Sequence, residues 1–183
     1  AIELGLVGSE MCIRDRPLFN RGHSRKMRNV MTTEADNLRL NIFDYQFTTG
    51  GGKNSHTHRY SVVSFASASL QLPILSIQPE GFFAKLGAAM GMQDIDFDQH
   101  PEFSDQFRLT GEDEGAIRDF FDQELLDFFA PQKCICLQCS PGFFIYFRKG
   151  RRDADQIRDF LDQAYSTYAA LNDRFSRSDS TSH

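Results

Sequence analysis

The stretch NLRLNIFDYQFTTGGGKNSHTHRYSVVSFA, residues 37–66, decides the fold. Leu38, Leu40 and Ile42 alternate with polar residues, and after Ile42 the alternation passes to Phe43, Tyr45 and Phe47. A period of two is the spacing of a strand, and a switch of parity means either a bulge or a strand covered on both faces. Tyr60, Val62, Val63 and Phe65 make a second β-rich run, and the three glycines between the runs supply the positive φ angles that a hairpin loop requires. Residues 37–66 therefore form a β-hairpin. A phosphate-binding P-loop needs G-x-x-x-x-G-K-[ST] at a strand-to-helix junction. Here Asn54 follows Lys53, Phe47 stands where the first glycine belongs, and the segment that follows is strand-like. GGGKNS is read as a hairpin tip.

Outward from the hairpin, residues 70–79, which carry Pro73 and Pro79, read as a short strand between turns, and residues 80–90 place Phe82, Phe83, Leu86 and Met90 at helical spacing with Gly91 as the stop. Residues 107–110 read as a brief strand. Residues 111–130 predict one long helix, acidic in its first turn, with a stripe of Ile117, Phe120, Phe121, Leu125, Phe128 and Phe129 that Pro131 ends. Residues 134–140 and 143–149 predict a second hairpin around Pro141 and Gly142. Residues 153–175 predict a last helix, with Asp153 as N-cap. IRDFFDQ (117–123) and IRDFLDQ (157–163) recur forty positions apart, one in each long helix.

Two groups of residues carry metal chemistry in outline. Asp94, Asp96 and Asp98 alternate along an extended segment as at the start of a calcium loop, with His100 close by and Asp105 at the twelfth position. Gln99 replaces the glycine required at the sixth position, so the competing reading is an edge strand with a charged outer face. His56 and His58 share one face of a strand and would serve a metal if a third ligand approached. Cys134, Cys136 and Cys139 offer three thiols where a structural zinc site wants four ligands, and they are read as reduced cysteines.

Leu6 to Arg16 reads LVGSEMCIRDR, which matches one reading frame of a transposase-type sequencing adapter. Residues 1–16 are therefore set aside from fold reasoning. Without them the formal charge moves from -5 to -4, a mildly acidic balance that exerts no overall pull on nucleic acid. The chain has 18 phenylalanines and no tryptophan, which favours a thick aromatic core. Residues 17–175 are expected to form one α+β domain, and residues 176–183 (SRSDSTSH), which lack any apolar side chain, a disordered tail.

The phrases IFDYQFTTGGGKNSHTHRYSVV (42–63), LSIQPEGFFAKLG (75–87) and QDIDFDQHPEFSDQFRLTGEDEGAIR (93–118) resemble those of a group of uncharacterised bacterial proteins, and the likeness extends over residues 18–171. The resemblance implies a membrane-spanning helix and a short linker ahead of the present domain. It also implies that Arg21, Arg25, Lys26 and Arg28 lie near the cytoplasmic surface of the inner membrane.

The expected architecture is an antiparallel sheet of hairpins packed on one face by two or three amphipathic helices. The expected function is a non-catalytic module, without a cofactor, that binds a protein or small ligand. The alternative is a metal-dependent enzyme or metal-binding module built on Asp94, Asp96, Asp98 and His100, with His56 and His58.

Overall fold

The structure, a computed structural model, describes residues 18–80, 82 and 94–180. It is an α+β arrangement of five antiparallel strands in one open sheet with, among the described residues, four α-helices. The strands are β1 (His23–Ala35), β2 (Leu38–Thr49), β3 (His56–Pro79), β4 (Phe107–Gly111) and β5 (Cys136–Lys149). The helices are α1 (Pro101–Ser104), α2 (Glu114–Phe120), α3 (Gln123–Phe129) and α4 (Ala154–Ser180).

The hairpin read from residues 37–66 is β2 and β3, paired without a register break from Arg39 opposite Ala66 to Thr49 opposite His56. Gly50 opens its turn at φ +74, where a Cβ would run into the Asn54 carbonyl oxygen. Because this ladder has no bulge, the parity switch after Ile42 has the other cause. Ile42 faces the helices, whereas Phe43, Tyr45 and Phe47 bury on the opposite face.

β1 is absent from the sequence reading. Its thirteen residues are exposed except for the half-buried Met27, so no hydrophobic alternation marks it. It is held by its ladder to β2, closed by the two-residue turn Asp36 and Asn37, both at positive φ.

β3 is a single strand of 24 residues that runs straight through Pro73. One of its edges carries β2 along residues 56–66 and β4 along residues 75–79, while β5 lines the other edge. The predicted second hairpin is corrected accordingly: residues 136–149 form one continuous strand. Pro141 sits opposite Gln71 between two register shifts, and Gly142 takes φ +81 there. Pro73 falls within one of these shifts, so its missing N–H costs no ladder bond.

The single helix predicted over residues 111–130 is also corrected. Gly111 remains in β4, and the helical part breaks at Phe121, whose backbone (φ -85, ψ 80) leaves the helical region. Asp113 caps α2 by accepting from the Ala116 N–H at 3.0 Å, and Asp122 caps α3 by accepting from Leu125 N–H at 3.0 Å. The disordered tail expected from residue 176 is replaced by helix as far as Ser180, where Arg177 reaches Glu124 at 2.6 Å. Of the helix predicted over residues 80–90, residues 81 and 83–90 lie outside the described residues, as do residues 1–17 and 181–183.

Two cores result. On the helix-covered face, Phe103 is fully buried with ring centroids 5.6 to 6.2 Å from Phe97, Phe107, Phe121 and Phe129. Each ring so buried contributes roughly 2 to 3 kcal/mol from apolar area alone. On the opposite face Phe43, Tyr45, Phe47, Tyr60, Val62, Ile145 and Phe147 pack with Leu18 and Phe19.

Candidate functional site

The acidic run and the paired histidines lie at opposite ends of β3. His56 and His58 begin the strand beside the β2–β3 turn, whereas Asp94 and Ile95 flank β4, which pairs with the last residues of β3. Among the described residues no three His, Cys, Asp or Glu side chains converge as metal ligands would.

Each candidate has a local role instead. Ile95 N–H donates to the Leu109 carbonyl at 2.8 Å, and Asp94 Oδ1 accepts from Leu109 N–H at 3.1 Å. Together they occupy the outer edge of β4 much as a further strand would. The segment is irregular backbone, so the edge-strand reading is corrected in form: it covers an edge without being a strand. Burial and the neighbouring Asp96 push the Asp94 carboxyl above its usual range, against the pull of Arg108 at 3.7 Å. Asp96 and Asp98 are exposed, and Arg118 binds the Asp96 backbone carbonyl at 2.6 Å. His100 is buried, with Nε2 donating to Gln123 Oε1 at 2.7 Å and Nδ1 3.9 Å from Asp127. It links the start of α1 to α3.

The thiols also part company. Cys134 is exposed ahead of β5, Cys136 buries on the face of Tyr60, and Cys139 buries on the helix face, where Sγ donates to the Pro73 carbonyl at 3.2 Å. Burial pushes the Cys136 thiol far above its ordinary value, which keeps it protonated and unreactive.

The other end of β3 assembles what the sequence did not announce as a site. His56, His58 and Tyr60 alternate onto one face of β3, and Thr49, Phe47 and Tyr45 lie opposite them on β2. β5 ends beside this stretch, with Arg148 opposite Ser61, Gly150 bridged to Tyr60, and Gly150 N–H donating to the Arg59 carbonyl at 2.8 Å. The His58 ring stacks on Phe47 with centroids 4.9 Å apart, and Nε2 meets Thr49 Oγ1 at 2.8 Å. Burial, then the positive charges of Lys149, His56 and Arg21, hold the His58 imidazole below its usual range. Burial pushes the Tyr60 and Tyr45 hydroxyls up to about 12, while Arg21 and Arg25 respectively pull them back. Arg25 binds the carbonyls of Asn20, Arg21 and Gly22, and so fixes the loop that delivers Arg21. Gly22 packs so close to the Thr48 carbonyl that a Cβ has no room. The available signal in the sequence was the run FRKGRR at residues 147–152, which complements the basic residues of β1.

Charge is thereby segregated along the sheet. Arg21, Arg25, Lys26, Arg28, Lys53 and the basic residues that close β5 lie toward one end of the sheet, whereas residues 94–133 toward the other hold twelve acidic residues against three basic ones. No protein-family profile, characterised protein or solved structure matches this chain. Among the described residues no helix is long and apolar enough to cross a membrane.

Proposed function

We propose that this chain is a non-catalytic binding module held at the cytoplasmic face of a bacterial inner membrane, its basic end toward the lipid and its acidic, helix-bearing end toward a protein partner. The observation that carries this reading is the segregation of charge between the two ends of β3. An anionic leaflet attracts clustered Lys and Arg by about 1 kcal/mol per residue near its surface. The surplus of nine negative charges over residues 94–133 is repelled by the same leaflet and turns outward. The histidines support a binding module over a metal enzyme, because His58 is engaged by Thr49 and His100 by Gln123 at opposite ends of the sheet.

The test is membrane fractionation of bacterial cells expressing the protein, combined with elemental analysis of the purified protein. The expected result is a protein in the inner-membrane fraction, shielded from protease added to spheroplasts and free of stoichiometric metal. A periplasmic product, or near-stoichiometric metal abolished by Asp96→Ala, would overturn the reading.

A further inference from the structure

We propose that β1 is a self-association edge, which pairs antiparallel with the β1 of a second copy and joins two sheets into one. The sheet has three outer strands, and two of them are closed. Ile95 and Asp94 occupy the outer side of β4, and β5 is buried at every residue but Pro141, Gly142, Arg148 and Lys149. β1 is exposed along its length apart from the half-buried Met27 and, among the described residues, pairs with β2 alone. An exposed edge presents a row of backbone donors and acceptors to any strand that can lie beside it. At the centre of this one stand Val30 and Met31, 40% and 55% exposed, two of the four large hydrophobic side chains left exposed among the described residues.

The charge pattern names the partner. The first half of β1 carries the exposed Lys26 and Arg28, and the second half leads to the exposed Glu34 and the turn residue Asp36. Glu34 gives Oε2 to Arg39 of its own chain, at 3.2 and 3.3 Å, and keeps Oε1 for a partner. A parallel copy would set Lys26 and Arg28 against themselves. An antiparallel copy lays them alongside Glu34 and Asp36 of the other chain, twice over by two-fold symmetry, with Val30 and Met31 of both copies near the axis. The ladder to β2 shifts register between His23 and Lys26 and between Arg28 and Met31, with Ser24 and Asn29 at positive φ, and is regular from Met31 to Ala35. Bulges close the basic half to continuous backbone pairing, so the shared ladder is confined to the regular half and the charges flank it. One short ladder is a small interface, which makes the dimer concentration-dependent. Antiparallel pairing also points the basic ends of the two copies in opposite directions, so an anionic leaflet and a second copy compete for Lys26 and Arg28.

The experiment is sedimentation equilibrium of the full chain over a range of concentrations, without lipid. The expected result is a monomer–dimer equilibrium that Arg28→Glu and Glu34→Lys, each alone, weaken about tenfold. An equimolar mixture of the two variants should associate again, because each contact between like charges is then replaced by one between opposite charges. Circular dichroism of both variants should match that of the unaltered chain, since both side chains are exposed. A dimer that follows this pattern upholds the edge whether or not the protein is found in the membrane fraction. A monomer at every concentration, a dimer that neither variant weakens, or a mixture no better associated than its components would overturn it.

Discussion

The same heptapeptide, differing at one position, breaks a helix in one place and continues it in another. IRDFFDQ spans the end of α2 and the start of α3, while IRDFLDQ lies unbroken within α4. In the first, Ile117, Phe120 and Phe121 are all buried, and Phe121 turns its ring among Phe97, Phe103, Phe120 and Phe129 at 5.8 to 6.1 Å. In the second, Phe160 alone is fully buried, against Tyr146 at 5.5 Å, while Ile157 and Leu161 are half-buried. The break leaves helix-end groups that need partners. Asp122 supplies one by capping α3, and Arg174 of α4 supplies another by donating to the Asp119 carbonyl at 2.7 Å. Arg174 Nε also lies 2.8 Å from Asp122, an ion pair by distance. Local sequence permits both outcomes here, and tertiary partners select between them.

Four substitution experiments, each read by urea unfolding, test how far this explanation goes. Phe121→Ala empties the centre of the ring cluster and should cost about 3 to 5 kcal/mol, whereas Leu161→Ala at the matching position of α4 should cost roughly half as much or less. Similar losses at both sites would mean that the break does not rest on burial of Phe121. Asp122→Ala removes a cap and an ion-pair partner together and should cost about 2 kcal/mol, while the exposed Asp162→Ala should stay within about 0.5 kcal/mol. A double-mutant cycle of Asp122 with Arg174 should return a coupling of about 1 kcal/mol; a coupling near zero would leave the cap as the sole local cause. Smallest of all, Leu161→Phe makes the two heptapeptides identical and should change stability by no more than about 1 kcal/mol, with helical circular dichroism unaltered. Loss of helix signal in that variant would show that the second phenylalanine breaks the helix by itself.

What the sequence disclosed follows the same division. The β2–β3 hairpin was legible because its signal is local: alternation on both sides of a glycine turn. The antiparallel α+β class followed from it. The Phe-rich stripe at residues 117–129 was legible as buried, but the break at Phe121 was not, since the partners that accommodate it are tertiary, among them Arg174, 55 residues from the Asp119 carbonyl it binds. Pro141 suggested a turn, yet it and Pro73 both lie at register shifts within long strands, where a missing N–H is tolerated. β1 escaped because an exposed strand has no apolar period, although the Asp36–Asn37 turn marks it. At the candidate site, His56 and His58 share one face as the alternation implied, but that the end of β5 lies beside them could be known only from its register.

The 24 residues of β3 form part of every ladder except that between β1 and β2. A displacement of β3 by one residue would turn Val63, Phe65 and Ile77 away from the helices and carry His58 and Tyr60 to the wrong side in the same stroke. Each half of the strand is thus aligned by its own ladders, and the shifts around Gln71 are where the two halves adjust to one another. The longest strand acts as an alignment gauge shared by the histidine-bearing rim and the aromatic interior beneath α2 and α3, with the stretch around Gln71 as its adjustable joint.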